Sequence, residues 1–347
     1  MFRKGDFPPV TGVFGSFSGA SGLTDTESVD GEHPCQGCVA PCCSTVTVFE
    51  MTPRTFRDVD YLGYILGFDR LELMWLPDGS VEVNYRALCR HLERSTGRCK
   101  VHDTPEQPDL CRDYDAKSCA YKPQFLGVPR SDSIRVSEAR FAAVAALFSY
   151  DARGRIVKAP DSDAIRTIMV RSDSSHEKEE SAEYGKTRST VQVPDGSEGL
   201  QERSHEEARL SPCEGCSAPC CDVLLFRLPD PVDRAVVDFY SYISGFPGLE
   251  IASTPRGWVV QCFSRCRHLN RDQRCDLYGQ KERPVHCQTY DAWSCRYVPT
   301  FLQGDELYTS IPVDQWAKVV GLFVFDESGQ TVDPPDHQSI SAQIKNG

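Results

Sequence analysis

Two short stretches of the chain each carry four cysteines at the same spacing. CQGCVAPCC occupies residues 35–43, and CEGCSAPCC occupies residues 213–221. A CxxC turn brings two thiolates within reach of one metal ion, and a distant second pair of thiolates completes a tetrahedral shell. The same four-thiolate geometry suits an iron–sulfur cluster. Three interpretations therefore compete for these cysteines: disulfide bonds, a reactive thiol site, or a metal site.

The two stretches begin a long internal repeat. CRHLERSTGRC at residues 89–99 matches CRHLNRDQRC at 266–275, and CRDYDAKSCAYKPQFL at 111–126 matches CQTYDAWSCRYVPTFL at 287–302. Each copy holds eight cysteines in the same order. Packing as small hydrophobic side chains accounts for one or two buried cysteines, but not for a whole set repeated in register. The repeat therefore favours metal binding over a purely structural role.

Composition excludes some classes of function and favours a reducing compartment. The chain has 347 residues and a formal net charge of -12, so nucleic acid and anionic membranes would repel it. The first residues lack the apolar core of a signal peptide, and the longest apolar run, FAAVAALF, is too short to cross a bilayer. These features predict a cytoplasmic protein, in which the 17 cysteines stay reduced rather than forming a disulfide framework.

The elements between the cysteines also repeat. β-branched and apolar residues after each adjacent cysteine pair predict a strand. An N-cap residue before a proline predicts that a helix starts at TP, residues 52–53, in the first copy and at DP, residues 230–231, in the second. These helices are expected to end at Gly67 and Gly245, each in the left-handed conformation.

The resulting fold prediction is α+β, with two tandem small cysteine-rich metal-binding modules. Each module consists of a strand, a helix, a hairpin, metal-bound loops and a further helix, and the hairpin turns are expected at residues 77–80 and 255–257. A polar, acid-rich flexible linker joins the modules. The predicted segments are a disordered tail at 1–33, the first module at 34–160, the linker at 161–210, the second module at 211–336 and a tail at 337–347.

Three further residues have roles that the sequence leaves open. His91 and His268 stand in identical CRHL contexts, where each could ligate a metal, hydrogen-bond a thiolate or serve as a polar structural residue. Cys262 is the unmatched cysteine and stands opposite Tyr85 in the repeat. It is interpreted as a packing residue or a stray thiol.

The cysteine pattern resembles that of a known family. C-x2-C-x3-C-C, then two separated cysteines, then Pro-x-x-Cys with a following tyrosine, is similar to the YkgJ-like cysteine-cluster family, which is described as zinc- or iron-chelating. The resemblance covers residues 35–121 and 213–297, about half of the chain. The second copy keeps the family's Arg-Pro at residues 283–284, whereas the first has Gln-Pro at 107–108.

The resemblance implies that every matched cysteine is a metal ligand. The implied cofactor is zinc or iron, with a 4Fe-4S cluster in each module if the metal is iron. The implied ligands are Cys35, Cys38, Cys42, Cys43, Cys89, Cys99, Cys111 and Cys119 in the first copy, and Cys213, Cys216, Cys220, Cys221, Cys266, Cys275, Cys287 and Cys295 in the second.

Three functions are compatible with this pattern. The first is a metal-binding protein with two duplicated zinc- or iron-chelating modules. The family includes flagellin lysine N-methylase, so the resemblance also implies a protein-lysine N-methyltransferase that uses the cluster and S-adenosylmethionine. The sequence shows neither a glycine-rich loop after a strand nor a C-x3-C-x2-C motif, and it leaves enzymatic activity open. The third function is a zinc-stabilised scaffold for a protein partner.

Overall fold

The computed structural model describes residues 41–112, 133–170, 218–290 and 308–345. Its helices and antiparallel sheets place the chain in the predicted α+β class. Among the described residues, no helix is both long enough and apolar enough to cross a membrane. The described residues up to 170 form the first half, and those from 218 form the second half.

The first half begins with a tight helical turn at the adjacent cysteine pair and continues into an antiparallel sheet. The strand predicted after the cysteines is confirmed as β1. The elements are, in chain order, the turn Pro41–Cys43, β1 (Thr45–Met51), α1 (Phe56–Leu66), β2 (Leu71–Trp75), β3 (Val81–Arg86), β4 (Leu92–Glu93), β5 (Arg98–Cys99), α2 (Asp109–Arg112), β6 (Ile134–Val136), α3 (Glu138–Ala145), β7 (Ser149–Tyr150), β8 (Ile156–Lys158) and α4 (Ser162–Val170).

The second half repeats this order, with a single bridge between Leu269 and Cys275 where the first half has the β4–β5 hairpin. The predicted strand after the cysteine pair is again confirmed, as β9. The elements are the turn Pro219–Cys221, β9 (Val223–Arg227), α5 (Arg234–Ser244), β10 (Leu249–Thr254), β11 (Gly257–Phe263), α6 (Val285–Gln288), β12 (Thr309–Ile311), α7 (Val313–Val320), β13 (Val324–Phe325), β14 (Thr331–Asp333) and α8 (His337–Lys345).

The main sheets of the two halves have the same topology. The strand order is β1-β3-β2-β6 in the first half and β9-β11-β10-β12 in the second, and each neighbouring pair is antiparallel. The predicted hairpins are confirmed as β2–β3 and β10–β11. Their registers place Leu71 opposite Tyr85 and Leu249 opposite Cys262. The repeat in the sequence is therefore also a repeat of the sheet.

Helices α1 and α5 begin later than the sequence predicts. Thr55 caps α1 and Asp233 caps α5, and each accepts a hydrogen bond from a backbone N–H in the first turn of its helix. Both caps are extended because each forms an isolated antiparallel bridge, Thr55 to Arg155 and Asp233 to Gln330. The predicted starts at the upstream Thr-Pro and Asp-Pro pairs are therefore wrong. The residues that pair with Thr55 and Asp233 lie directly before β8 and β14, and this pairing moves the start of each helix to a later residue.

Gly67 and Gly245 end these two helices, as predicted, but not in the left-handed conformation. Gly67 has φ -66° and ψ -7°, and Gly245 has φ -66° and ψ -13°. Any residue adopts these angles, so the backbone conformation does not require glycine here. Both glycines lie beside the other half of the chain, at distances given with the site geometry.

The two halves share one hydrophobic core. Phe49 of β1 stacks on Phe226 of β9 with their ring centroids 5.3 Å apart. The hydroxyl of Tyr85, a fully buried residue of β3, donates a hydrogen bond to the carbonyl of Pro247 at 3.2 Å. Because burial of apolar surface drives folding, each half stabilises the other.

The two terminal helices of the halves lie beyond the predicted module boundaries. Helix α4 falls in the stretch predicted as linker and buries Ile165, and α8 falls in the stretch predicted as tail and buries Ile340. The predicted boundaries at residues 160 and 336 are therefore too early, because each half uses one more apolar side chain to close its core. The rest of the predicted linker, and the tail at 1–33, lie outside the described residues.

Candidate metal centre

The predicted metal ligands are divided between the described residues and the rest of the chain. Cys35, Cys38, Cys119, Cys213, Cys216 and Cys295 lie outside the described residues. The predicted ligands of the first half that lie among the described residues are called the first cluster and consist of Cys42, Cys43, Cys89, Cys99 and Cys111. Those of the second half are called the second cluster and consist of Cys220, Cys221, Cys266, Cys275 and Cys287.

Four separate segments carry the first cluster. Cys42 and Cys43 lie in the turn before β1, Cys89 follows β3, Cys99 ends β5 and Cys111 lies in α2. The pairing of β1 with β3 brings the first two segments together, and the backbone N–H of Cys89 donates to the carbonyl of Cys43 at 2.7 Å. The sheet itself therefore positions Cys43 beside Cys89.

The thiols of the first cluster influence one another's ionisation. The pKa of Cys43 is raised by its hydrogen bond with Cys42, by burial and by the charge of neighbouring thiolates. Burial and the neighbouring thiolates raise the pKa of Cys111 to about 12. Burial also raises the pKa of Cys89, and Cys99 contributes to that rise. Several thiolates held this close repel one another, and a bound cation would offset that repulsion.

The second cluster is built in the same way. Cys220 and Cys221 lie in the turn before β9, Cys266 follows β11 and Cys287 lies in α6. The backbone N–H of Cys266 donates to the carbonyl of Cys221 at 2.6 Å. Burial and the neighbouring thiolates raise the pKa of Cys266 and of Cys287 to about 12. Both halves therefore crowd their matched cysteines together.

An arginine distinguishes the second cluster from the first. The pKa of Cys221 is lowered by its hydrogen bond with Cys220, and the charge of Arg283 lowers it further. Arg283 acts in the same direction on Cys287, where burial has the larger and opposite effect. The first half has the uncharged Gln107 at the position of Arg283. Arg283 therefore favours the ionised forms of Cys221 and Cys287, whereas in the first cluster Arg90 acts in this way on Cys89.

Helix α1 of the first half lies against the second cluster. The carboxylate of Asp60 accepts hydrogen bonds from the first two backbone N–H groups of α6, at 2.9 and 2.8 Å. The Tyr64 hydroxyl donates to the carbonyl of Cys220 at 3.2 Å. The carbonyl of Gly67 accepts a hydrogen bond from the N–H of the residue after Cys266, at 2.8 Å. One helix thus contacts three ligand-bearing segments of the other half.

Helix α5 of the second half makes the corresponding contacts with the first cluster. The carboxylate of Asp238 accepts hydrogen bonds from the first two backbone N–H groups of α2, at 2.8 and 2.6 Å. The Tyr242 hydroxyl donates to the carbonyl of Cys42 at 2.8 Å. The carbonyl of Gly245 accepts a hydrogen bond from the N–H of the residue after Cys89, at 2.9 Å. The contacts between the halves are therefore reciprocal.

The aspartate and the tyrosine of these helices are not among the residues predicted from the sequence. In both helices Asp, Tyr and Gly follow one another at positions i, i+4 and i+7, in DYLGYILG and in DFYSYISG. This spacing puts the three residues on one face of a helix. A polar face repeated in both copies is the signal that could have identified them.

The two glycines lie where a thiol of the other half approaches the helix end. A methyl group added at Gly245 would lie 3.4 Å from Sγ of Cys89 and 3.9 Å from Cδ2 of His91. At Gly67, the corresponding distance to Sγ of Cys266 is 3.9 Å. Both thiols would therefore be in van der Waals contact with the added methyl group, whose closest neighbour is the carbonyl oxygen of Tyr242 at 3.0 Å or of Tyr64 at 3.2 Å.

The two repeated histidines stand at this boundary between the halves. Nε2 of His268 lies 3.5 Å from Oε1 of Glu138 in α3 of the first half. Burial lowers the pKa of His91, which favours its neutral form. Metal ligation by either histidine stays a prediction.

Within residues 41–112, 133–170, 218–290 and 308–345, no group of three or more His, Cys, Asp or Glu side chains is close enough together to hold a metal ion. In each half, three of the predicted ligands lie outside these residues. The chemistry of the described donors fits a soft metal, because thiolates are the preferred ligands of structural zinc and of iron–sulfur clusters.

Cys262 has the surroundings of a packing residue, which confirms that interpretation of the unmatched cysteine. It is fully buried in the central strand β11, where it pairs with Leu249 on one side and Leu224 on the other. Burial raises its pKa well above the ordinary value. A neutral thiol in an apolar sheet behaves as a small hydrophobic side chain.

Comparisons of the chain with protein-family models, with curated protein sequences and with solved structures gave no match.

Proposed function

We propose that the chain is a metal-binding protein with two duplicated cysteine-rich modules, each of which chelates zinc or iron. The observation that carries the proposal is that each half brings matched cysteines from separate segments together, with the backbone of Cys89 hydrogen-bonded to that of Cys43 and the backbone of Cys266 to that of Cys221. The neighbouring thiolates raise the pKa of members of both clusters. Sixteen matched cysteines are the candidate ligands, and those outside the described residues complete each set. Iron would be held as an iron–sulfur cluster.

The contrast with Cys262 supports ligation over packing. That residue is fully buried between apolar strands, as a packing thiol should be. The clustered cysteines lie instead in turns, loop ends and four-residue helices, and the described ones are partly exposed or exposed. Such thiols are less completely packed than Cys262, and a shared cation would stabilise their ionised forms and cross-link the loops.

The proposed setting is the cytoplasm, where thiols stay reduced and available as ligands. Metal ions are the proposed binding partners. The net charge of -12 disfavours nucleic acid and anionic membranes as partners.

Metal analysis of the full chain, purified without oxygen and combined with visible absorption, tests this function. We expect bound zinc in a colourless protein, or iron in a brown protein with broad visible absorbance. Stripping the metal with a chelator is expected to lower the melting temperature, because metal-binding free energy contributes to folding. A purified chain without zinc or iron, whose melting is insensitive to the chelator, would contradict the proposal.

Single cysteine replacements supply the matched control. Cys89→Ser and Cys266→Ser are each expected to lower the metal content, because each removes one member of a cluster. Cys262→Ala is expected to leave the metal content unchanged and to lower stability only by the loss of packing. Equal metal loss from Cys262→Ala and Cys89→Ser would show that the ligands are misassigned.

A further inference from the structure

We propose that each half of the chain positions the metal ligands of the other half, so that the two clusters fill cooperatively. This inference rests on the proposed metal-binding function. The inference concerns the metal occupancy of the two sites. It assigns the positioning of the ligands to two residues of each of the helices α1 and α5 and to the glycine that ends each helix. The residues are Asp60, Tyr64 and Gly67, and Asp238, Tyr242 and Gly245.

The aspartates make the strongest of the contacts between the halves. Asp60 accepts two hydrogen bonds from the first turn of α6, the helix that carries Cys287. Hydrogen bonds to a charged acceptor are about twice as strong as neutral ones. Helix α6 has only four residues, and so short a helix depends on such tertiary contacts for its position. Asp60 therefore determines where Cys287 stands relative to the rest of its cluster.

The tyrosine and glycine contacts extend this control to the other ligands. The Tyr64 hydroxyl donates a hydrogen bond to the carbonyl of Cys220, and the carbonyl of Gly67 accepts one from the backbone N–H of the residue after Cys266. Of the four segments that carry the second cluster, the three that hold Cys220, Cys266 and Cys287 are therefore hydrogen-bonded to α1 and its C-terminal end. Cys266 also follows β11 and is hydrogen-bonded to Cys221 within its own half, so the helix completes a site that the second half builds only in part.

Cooperativity follows because both clusters act on the same interface. A metal in the second cluster ties together the segments that contact α1, and a metal in the first cluster ties together the segments that contact α5. Each metal therefore favours the packed arrangement of the two halves. The first metal to bind orders the interface, and the second binds to a site already arranged for it, which raises its affinity.

The test uses cobalt(II) as a metal probe, because thiolate-bound cobalt absorbs visibly and reports ligation directly. The full chain is prepared with Cys89→Ser, which disables the first cluster, or with Cys266→Ser, which disables the second. Asp60→Ala is then added to each background. We expect it to lower the cobalt affinity of the second cluster about ten-fold or more, as loss of two charge-assisted hydrogen bonds predicts, and that of the first cluster by less than about two-fold.

Asp58→Ala is the matched control on the same helix. Asp58 also accepts two hydrogen bonds from backbone N–H groups, but those of Arg54 and Thr55 in its own half. Its loss is expected to lower the melting temperature and to leave the cobalt affinity of the second cluster within about two-fold. Asp60→Asn keeps one acceptor, should lose less affinity than Asp60→Ala, and is the variant to measure if the alanine variant does not fold.

Native mass spectrometry of the wild-type chain at limiting cobalt measures the coupling itself. Chains with both clusters empty and chains with both clusters filled are expected to outnumber chains with one cluster filled. A statistical distribution, or equal affinity losses from Asp60→Ala and Asp58→Ala, would overturn the inference and leave the proposed function standing. A wild-type chain that binds neither cobalt nor zinc nor iron would overturn both.

Discussion

The two cysteine clusters have the same scaffold but different charges around them. Each has a backbone hydrogen bond between its second and third described members, and each is contacted by an Asp-Tyr-Gly helix face of the other half. Around the second cluster, Arg267 pairs with Asp69 and Glu138 of the first half. In the second half, the uncharged residues Pro247 and Val313 stand at the positions that correspond to Asp69 and Glu138.

The difference shows that the duplicated fold and the chemistry of each site are set separately. Backbone hydrogen bonds and helix contacts are the same in both halves, because the sheet topology is the same. The charges differ at single positions such as Arg283 and Gln107, which do not take part in the sheet. Since Arg283 favours the ionised forms of Cys221 and Cys287, we expect the second cluster to keep its metal at lower pH with this arginine than without it.

The largest expected effect comes from breaking the contact between the halves in the core. Phe49→Ala removes the ring that stacks on Phe226, and it is expected to lower the free energy of unfolding by about 3–5 kcal/mol. Both halves should unfold in one transition, because they share one core. Denaturant unfolding followed by circular dichroism and tryptophan fluorescence measures this.

The control for the core contact is Phe56→Ala, since the side chain of Phe56 is exposed to solvent. It is expected to cost about 1 kcal/mol or less. Two separate transitions in Phe49→Ala, one for each half, would show that the halves fold independently and would remove the physical basis for comparing them as one unit.

The next effect uses the two glycines and sharpens the comparison of the two helix ends. Gly245→Ala places a methyl group 3.4 Å from Sγ of Cys89, whereas Gly67→Ala places one 3.9 Å from Sγ of Cys266. The closest atom to the methyl group is the carbonyl oxygen of Tyr242 at 3.0 Å for Gly245 and that of Tyr64 at 3.2 Å for Gly67, so overpacking is expected to cost about 1–2 kcal/mol at Gly245 and less than about 1 kcal/mol at Gly67. Thermal melting and metal content measure the two variants, and each serves as the control for the other.

The glycine comparison also has a site-specific outcome. Gly245→Ala should weaken metal binding by the first cluster, and Gly67→Ala should change the second cluster less. If the two alanine variants destabilise the protein equally and neither changes metal binding, then the thiols do not need glycine at these two positions.

The smallest effect comes from exchanging the charge difference between the clusters. Arg283→Gln removes a positive charge that lowers the pKa of Cys221 and acts in the same direction on Cys287. The thiol pKa values then rise, protons compete better with the metal, and the pH of half-maximal metal release from the second cluster should rise by about 0.5–1 unit. Metal release during acid titration measures this shift.

The reverse exchange tests the same idea in the first cluster. Gln107→Arg introduces a positive charge at the position that corresponds to Arg283, so the pH of metal release from the first cluster should fall if the charge acts there as it does in the second. An unchanged release pH in both variants would show that the arginine does not tune the second cluster.

Much of the local structure could be predicted because its causes lie within a few residues. Turn residues between apolar runs predicted the hairpins β2–β3 and β10–β11, and β-branched runs after the cysteine pairs predicted β1 and β9. The starts of α1 and α5 could not be predicted, because Thr55 and Asp233 pair with distant residues, Arg155 and Gln330. A local capping rule does not include such bridges.

The sequence by itself determined the duplication, the order of the elements, the α+β class and the spacing of the cysteines. Only the tertiary structure decided that α1 serves the second cluster and α5 the first. The physical reason is that Asp60 and Asp238 bind backbone N–H groups far away in the chain. Every residue except proline offers such a group, so the side chains of α6 and α2 do not indicate which aspartate binds these helices.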